Sequence, residues 1–370
     1  MTHTDSNNTW SLVLDRTIAG QLHSISHDLA ALGADTTWLA DVAHTALQGG
    51  KRLRAELAYQ SWLAHGPGDN LSEAAVAVDS AIAKLAAVLE IFQAAALVHD
   101  DLIDNSDTRR GHPAAHVNFA QRLHSADHLE DNERFGQAGA ILLGDLLLIK
   151  SDELFSEVIA DLDAARAQAL SHVYDRMRFD VTAGQYLDAL GEALPLSSSP
   201  AELSSHAWRV IALKTVSYSV RAPLQLGAAL AGASTEQLQD LEDLAVPLGE
   251  AFQLRDDLLG VFGDAAVTGK STASDLDSAK RTVLLASALE NAKPAEREYL
   301  VSTLTGQNLS AENLSQVSAL LVSSGARDHI EMLISQRDDD ASATLAKLRI
   351  TAAGRDALEE LIKLLTSRNS

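Results

Sequence analysis

Residues 74–101 read AAVAVDSAIAKLAAVLEIFQAAALVHDD and are apolar on nearly every helical face, which predicts a helix lying in the middle of the protein. The other elements are arranged around it. Residues 1–48 place apolar positions at helical spacing, with the first dozen expected to be loose. Gly49 and Gly50 make a turn before a helix that opens with Lys51, Arg52 and Arg54. A loop, GPGDN, follows at 66–70, and Asn70 with Glu73 forms a capping box that opens the central helix. Residues 121–136 are polar and charged and are expected to form a surface loop. AGAILLGDLLLIKSDELF at 138–155 predicts a second buried helix, with Gly144 allowing close packing and Asp145 hydrogen-bonded inside it.

The pattern stays helical beyond that point. Residues 161–190 form one helix, and Ser199, Pro200 and Glu202 mark the start of another. The next carries Lys214 and Thr215 in an apolar stretch and should kink at Pro223. Ser234 caps a helix pair that leads through Pro247 to a pair of aspartates at 256–257. A glycine- and serine-rich stretch with Lys270, Lys280 and Arg281 comes after it, and residues 294–370 return to amphipathic helices without chemical signals. No segment alternates with period two and none repeats. The expected fold is all-α, a single domain over 1–370.

Composition narrows the chemistry. At 370 residues, 46% hydrophobic and 4% aromatic, the chain can fill one large core and is alanine-rich in the way of helical bundles. Its formal charge of −22 argues against a general affinity for nucleic acid or anionic membranes, so an anionic substrate would need a local basic pocket. No cysteine is present, which excludes disulfides, thiolate catalysis and cysteine-ligated metals. The 13 histidines show no HExxH spacing. The amino terminus lacks a basic and an apolar segment, and Asp79, Lys84, Glu90, Lys214 and Arg221 interrupt the apolar runs. A soluble, cytoplasmic protein without a transmembrane segment is expected.

The chemistry concentrates at the end of the central helix, in LVHDDLIDNSDTRRG at 97–111. Positions i, i+3 and i+4 share a helix face, so Asp100, Asp101 and Asp104 can direct carboxylates into one volume. Like charges so placed call for a cation, and magnesium suits them because it takes one or two carboxylates and completes its shell with water and phosphate oxygens. Arg109 and Arg110 then read as a phosphate clamp, guanidinium forks matching phosphate oxygens. A solvated acidic helix end would explain one such motif, but a second, FQLRDDLLGVFGD at 252–264, repeats the pattern with Asp256 and Asp257. Gln93 lies two turns before Asp100 on the same face, either buried against a neighbouring helix or aimed at a ligand. Gly50, Lys51 and Arg54 make an anion site or a basic surface turn, and Lys214 either snorkels to the surface or acts.

In their order and joint occurrence these motifs, over residues 45–290, resemble the trans-polyprenyl diphosphate synthases, most closely the geranylgeranyl diphosphate synthases. The resemblance implies a bundle of long helices around a central cavity, usually paired as a homodimer. It implies that Gly50, Lys51, Arg54, Gln93 and Arg110 bind isopentenyl diphosphate, and that Asp100, Asp104 and Asp256 bind magnesium directly, supported by Asp101 and Asp257. Three magnesium ions would be held with substrate bound. Arg109, Lys214 and Lys270 resemble the clamp on an allylic diphosphate, with Thr215, Gln185 and Gln253 lining the cavity. One departure stands out: Gly260 occupies the place of the second motif's usual third aspartate, with Asp264 four residues later, so weaker support of the metal is expected there.

The reaction so implied ionises the allylic diphosphate in a pocket that excludes water, and the double bond of isopentenyl diphosphate attacks the cation. His99 precedes the first motif by one residue and points elsewhere, which leaves the released diphosphate as the proton acceptor. Ala95 and Ala96 stand where the family's fifteen-carbon synthases have a bulky aromatic, and Phe92, one turn deeper, is either the floor of a cavity sized for geranylgeranyl diphosphate or ordinary core filling. Farnesyl diphosphate or a slightly longer product is the alternative. A terpene cyclase would need only one diphosphate site, whereas two basic clusters are present at 51–54 and 109–110. A catalytically silent subunit of a heteromeric synthase is supported by Gly260 alone, and a helical scaffold would show repeats.

Overall fold

A computed structural model describes residues 3–66, 80–125, 132–263, 276, 279–305 and 309–366. Lys270, Asn70, Glu73 and Asp264 lie outside the described residues. The fold is all-α, as the periodicity requires. It divides into two compact units, Met1–His172 with Leu226–Ala233, and Val173–Gln225 with Ser234–Ser370.

In the first unit, α1 (His3–Leu32), α2 (Thr37–Leu47) and α3 (Leu53–His65) surround α4 (Ala81–Ile103), which also packs on α6 (Asn132–Ala160). Ile82, Leu85, Leu89 and Ile91 of α4 are almost completely buried, which accounts for its apolar surface on all sides. By length and composition α4 could cross a membrane, contrary to the expectation that its charges interrupt it, but 72% of the relevant window is buried inside the protein. Within the described residues α4 opens at Ser80, which is extended and whose hydroxyl accepts from the Ala83 amide; the expected start at Asn70 lies outside them.

Three other expectations are corrected in this unit. α1 is helical from His3, because Trp10 is buried and stacks on Tyr59 with ring centroids 3.9 Å apart. The polar stretch 121–136 is helical at both described ends, as α5 (Ala115–Ser125) and the start of α6; Gly136 and Gly139 bring α6 close to the α5 carbonyl of His116 and the ring of Phe119. α6 is only half buried. Asp145 is exposed and lies 3.7 Å from His99, and Phe135, Ile141, Leu142 and Ile149 face outward.

The second unit is built on α10 (Thr235–Phe262), opened by the Ser234–Gln237 capping box. α10 packs against a π-helical segment (Ile211–Arg221) that continues α8 (Pro200–Val210) and leads into α9 (Ala222–Ala231). The chain then runs through α11 (Val283–Asn291), α12 (Pro294–Leu304), α13 (Ala311–Ser323), α14 (Ala326–Leu345) and α15 (Ala352–Thr366). Leu254 and Leu258 of α10 share a core with Leu284 and Leu285 of α11, Leu321 of α13 and Ile330 and Ile334 of α14. Arg255, just before the second aspartate pair, forks onto Glu331 of α14 at 2.9 and 2.8 Å and reaches the Thr366 carbonyl at 3.3 Å. α7 (Ala164–Ala193) enters this unit after His172.

Candidate active site

The end of α4 carries the first acidic motif. Asp101 is buried and accepts from Arg109 Nε at 2.8 Å, with Arg109 Nη2 also on it and 3.9 Å from Asp100. Burial pushes the Asp101 carboxyl up, against the pull of Arg109. Burial likewise works against the Arg109 charge, but Asp101, Asp100 and Asp104 outweigh it and hold the guanidinium above its ordinary value. Asp101 and Arg109 are joined as an ion pair. Asp101 is thus an anchor for Arg109, while half-buried Asp100 and exposed Asp104 lie one turn apart at the helix end.

Arg109 owes its position to a feature that the sequence pattern did not predict. Among the described residues the only strands are Thr108–Arg109 and His112–Pro113, paired Thr108 to Pro113 and Arg109 to His112. Arg110 and Gly111 join them with φ of 54° and 79°, the two left-handed residues of a type I′ turn. Two-residue strands are too short to show alternation.

Arg110 is then cradled by the Gly49–Gly50 turn. Its Nη1 donates to the Gln48 carbonyl at 2.9 Å, and a Cβ on Gly50, whose φ is +89°, would lie 2.7 Å from Nη2. Burial lowers the Arg110 pKa from its ordinary value. Arg52 turns the other way. In a left-handed conformation it donates to buried Glu90 at 3.0 Å and to the Leu47 carbonyl at 2.8 Å, so the α3 start leaves Lys51 exposed and Arg54 half-buried. The Glu90–Arg52 pair was missed in the sequence, because Glu90 reads as one more interruption of an apolar helix. On α4 the partly accessible positions include Gln93, Ala96 and Asp100, three and four residues apart, whereas Phe92 and Ala95 are buried. An open cleft of about 470 Å³ in this unit is lined by Val42, Leu97, Asp101, Arg109 and Arg110.

In the second unit Lys214 and Thr215 of the π segment face a cleft of about 390 Å³, with Asp188, Gln253, Asp257 and Lys280. Lys214 donates to Asp188 at 2.7 Å and Lys280 lies 3.3 Å from the same oxygen. Burial would raise the Asp188 carboxyl, but Lys280 and Lys214 together hold it below the usual carboxylate value. Thr215 donates to Gln253 at 2.5 Å, and Gln253 donates to buried Asp257 at 2.8 Å, so the glutamine bridges the π segment and the second acidic motif. Asp256, Gly260 and Gln185 are half-buried in the same unit. Arg281 also lines this cleft while its guanidinium clamps the Leu194 carbonyl at 3.1 and 2.7 Å. Lys280 and Asp188 were given no site role from the sequence, although Lys280 stood in the basic stretch after the second motif and Asp188 was spaced i+3 from Gln185.

Among the described residues no three carboxylates or imidazoles are already gathered as a metal cage. The donor set nonetheless fits magnesium. Asp100 and Asp104, one turn apart at the end of α4, match the one or two carboxylates that this ion takes before phosphate oxygens and water complete its shell.

An all-α chain that ends two long helices in aspartate pairs, each near arginine or lysine, has the architecture of the isoprenoid synthases. The chain belongs to the polyprenyl synthetase family, whose profile matches residues 36–321, and is a trans-prenyltransferase. It is similar to the crystal structure of geranylgeranyl pyrophosphate synthase from Corynebacterium glutamicum complexed with isoprenyl diphosphate and magnesium, with a TM-score of 0.88 and 34% identity over 97% of this chain and 98% of that one. The farnesyl diphosphate synthase of Escherichia coli is 30% identical over 80% of this chain and 91% of its own length. The geranylfarnesyl diphosphate synthase of Aeropyrum pernix is 29% identical over 77% and 82%.

Proposed function

We propose that the protein condenses isopentenyl diphosphate with allylic diphosphates in a magnesium-dependent reaction, with geranylgeranyl diphosphate as the main product. The observation that carries this reading is the end of α4, where buried Asp101 holds Arg109 and leaves Asp100 and Asp104 at the edge of the face that bears Gln93 and Ala96. Lys51, Arg54, Gln93 and Arg110 hold the diphosphate of isopentenyl diphosphate, Arg110 being aimed by the Gly49–Gly50 cradle. Arg109, Lys214 and Lys270 take the allylic diphosphate, and Asp188 sets where the Lys214 ammonium sits. Asp100, Asp104 and Asp256 would hold magnesium, three ions with substrate bound, and that metal would supply the positive charge the departing diphosphate needs. The allylic C–O bond breaks, the isopentenyl double bond attacks the allylic carbon, and a proton is lost to the released diphosphate. His99 does not take that proton, since its Nε2 is 3.2 Å from the Ile141 carbonyl on α6.

Ala96, a small residue on the face that bears Gln93 and Asp100, supports a product longer than farnesyl diphosphate, and relatives on either side of geranylgeranyl diphosphate bracket it. The outward apolar row of Phe135, Ile141, Leu142 and Ile149 on α6 supports a homodimer. The buried α4 and the charge of −22 support a cytoplasmic enzyme acting on free diphosphates.

The test is incubation of the purified protein with isopentenyl diphosphate and each allylic starter, followed by chromatography of the products. Chelation should abolish turnover and magnesium restore it. Full activity in excess chelator, or no product from the protein alone with any starter, overturns the reading, the second outcome favouring a silent subunit.

A further inference from the structure

The segment Ile211–Arg221 is π-helical for 11 residues, whereas π-helices are mostly single turns inserted in α-helices. Two causes for this winding are present in the sequence. Pro223 has no amide hydrogen, and in a regular α-helix its ring would strike the Ser219 carbonyl four residues back; the wider turn moves that carbonyl away, and Ala222 donates instead to Ser217, five residues back. The wider helix also needs room, and glycines provide it on two sides. A Cβ on Gly184 of α7 would lie 2.6 Å from the Lys214 backbone nitrogen, and one on Gly249 of α10 would lie 2.8 Å from the Val216 Cα.

Winding of this kind alters which side chains share a face. An α-helix turns about 100° per residue, which drives consecutive side chains apart. A π-helix turns less, and here the consecutive Lys214 and Thr215 both line one cleft. A single buried carboxylate ties the segment down. Asp180 of α7, 1% exposed, accepts from Ser217 at 3.1 Å and from Arg221 at 2.5 Å. Arg176 Nε lies 2.9 Å from its other oxygen, close enough for an ion pair though not aligned as a hydrogen bond. Arg221 is fixed further by Ser217 at 2.8 Å and Glu242 at 3.1 Å. Asp180 does not line the cleft.

We propose that Asp180 is a positioning residue: through Ser217 and Arg221 it locks the π register that turns Lys214 and Thr215 together into the second-unit cleft. The inference rests on the reading that this cleft takes the allylic diphosphate. A brace of this kind acts on one substrate, whereas a merely structural carboxylate would weaken both.

The experiment compares Asp180→Asn and Ser217→Ala with the wild type in the full chain, by hydrogen exchange of the backbone amides and by steady-state kinetics with each substrate varied. Ser217→Ala removes one donor and leaves the Asp180–Arg221 pair intact, so it keeps the test open if Asp180→Asn does not fold. Exchange in 211–221 should rise about tenfold with α4 unaffected. KM for the allylic diphosphate should rise about tenfold, with KM for isopentenyl diphosphate within about twofold of the wild type. Unchanged exchange in 211–221, or an equal rise in both KM values, overturns the proposal. If the wild type makes no prenyl product, the functional reading falls, and the exchange pattern alone decides whether Asp180 braces the π segment.

Discussion

Ala279 holds a left-handed backbone at φ +48°, a conformation that costs a residue with a Cβ about 1 kcal/mol relative to glycine. The corner is over-determined, because Arg281 Nη1 donates to the Ala279 carbonyl while the rest of its fork holds Leu194. Ala279→Gly should therefore stabilise the protein by about 1 kcal/mol, read as a higher urea midpoint at unchanged slope. A lower midpoint would mean that the entropy of the added glycine outweighs the relieved strain. Arg52 and Arg110 are left-handed as well, each held by carbonyls and, for Arg52, by Glu90. At this scale the sequence was legible in residue type and blind in direction. The paired glycines, the aspartates and the arginines could all be read as a diphosphate site. That Arg110 rests on Gly50 and Arg52 turns to Glu90 could not be read, because those partners lie 60 and 38 residues away.

Among the elements, α4 carried the clearest signal and the least directional one. Apolar on nearly every face, it was recognisable as central, yet periodicity could not say which face meets the cavity. Ala96 is partly accessible, on the side of Gln93 and Asp100, while Ala95 is fully buried. Ala96→Phe should shorten the main product to farnesyl diphosphate. Ala95→Phe should overpack the core and cost about 1–3 kcal/mol, seen as a lower melting temperature, with product length unchanged. Chromatography of both variants decides, and shortening by Ala95→Phe alone would reverse the assignment of faces. The π segment was the least legible element. Pro223 predicted a kink, but relief by a wide helix depends on Gly184 and Gly249, which make room for it from other helices.

For the whole molecule, the all-α class followed directly from periodicity, whereas exposure did not. α6 reads as a buried helix in sequence because Ile141, Leu142 and Ile149 are indistinguishable there from core residues, yet they face outward. If they are the dimer contact, Ile141→Asp combined with Leu142→Asp should convert the protein to a monomer by light scattering, with helix content retained. A dimer that persists in this variant would move the interface elsewhere.

The fork of Arg255 onto Glu331 and the Thr366 carbonyl ties the residue before Asp256 to helices that lie beyond the family-matched residues. Cooperativity follows from that tie. An opening that detaches α15 takes the Thr366 carbonyl from Arg255 and spreads to the second acidic turn, so α15 and the turn that carries Asp256 melt as one unit although the contact between them spans 111 residues of chain.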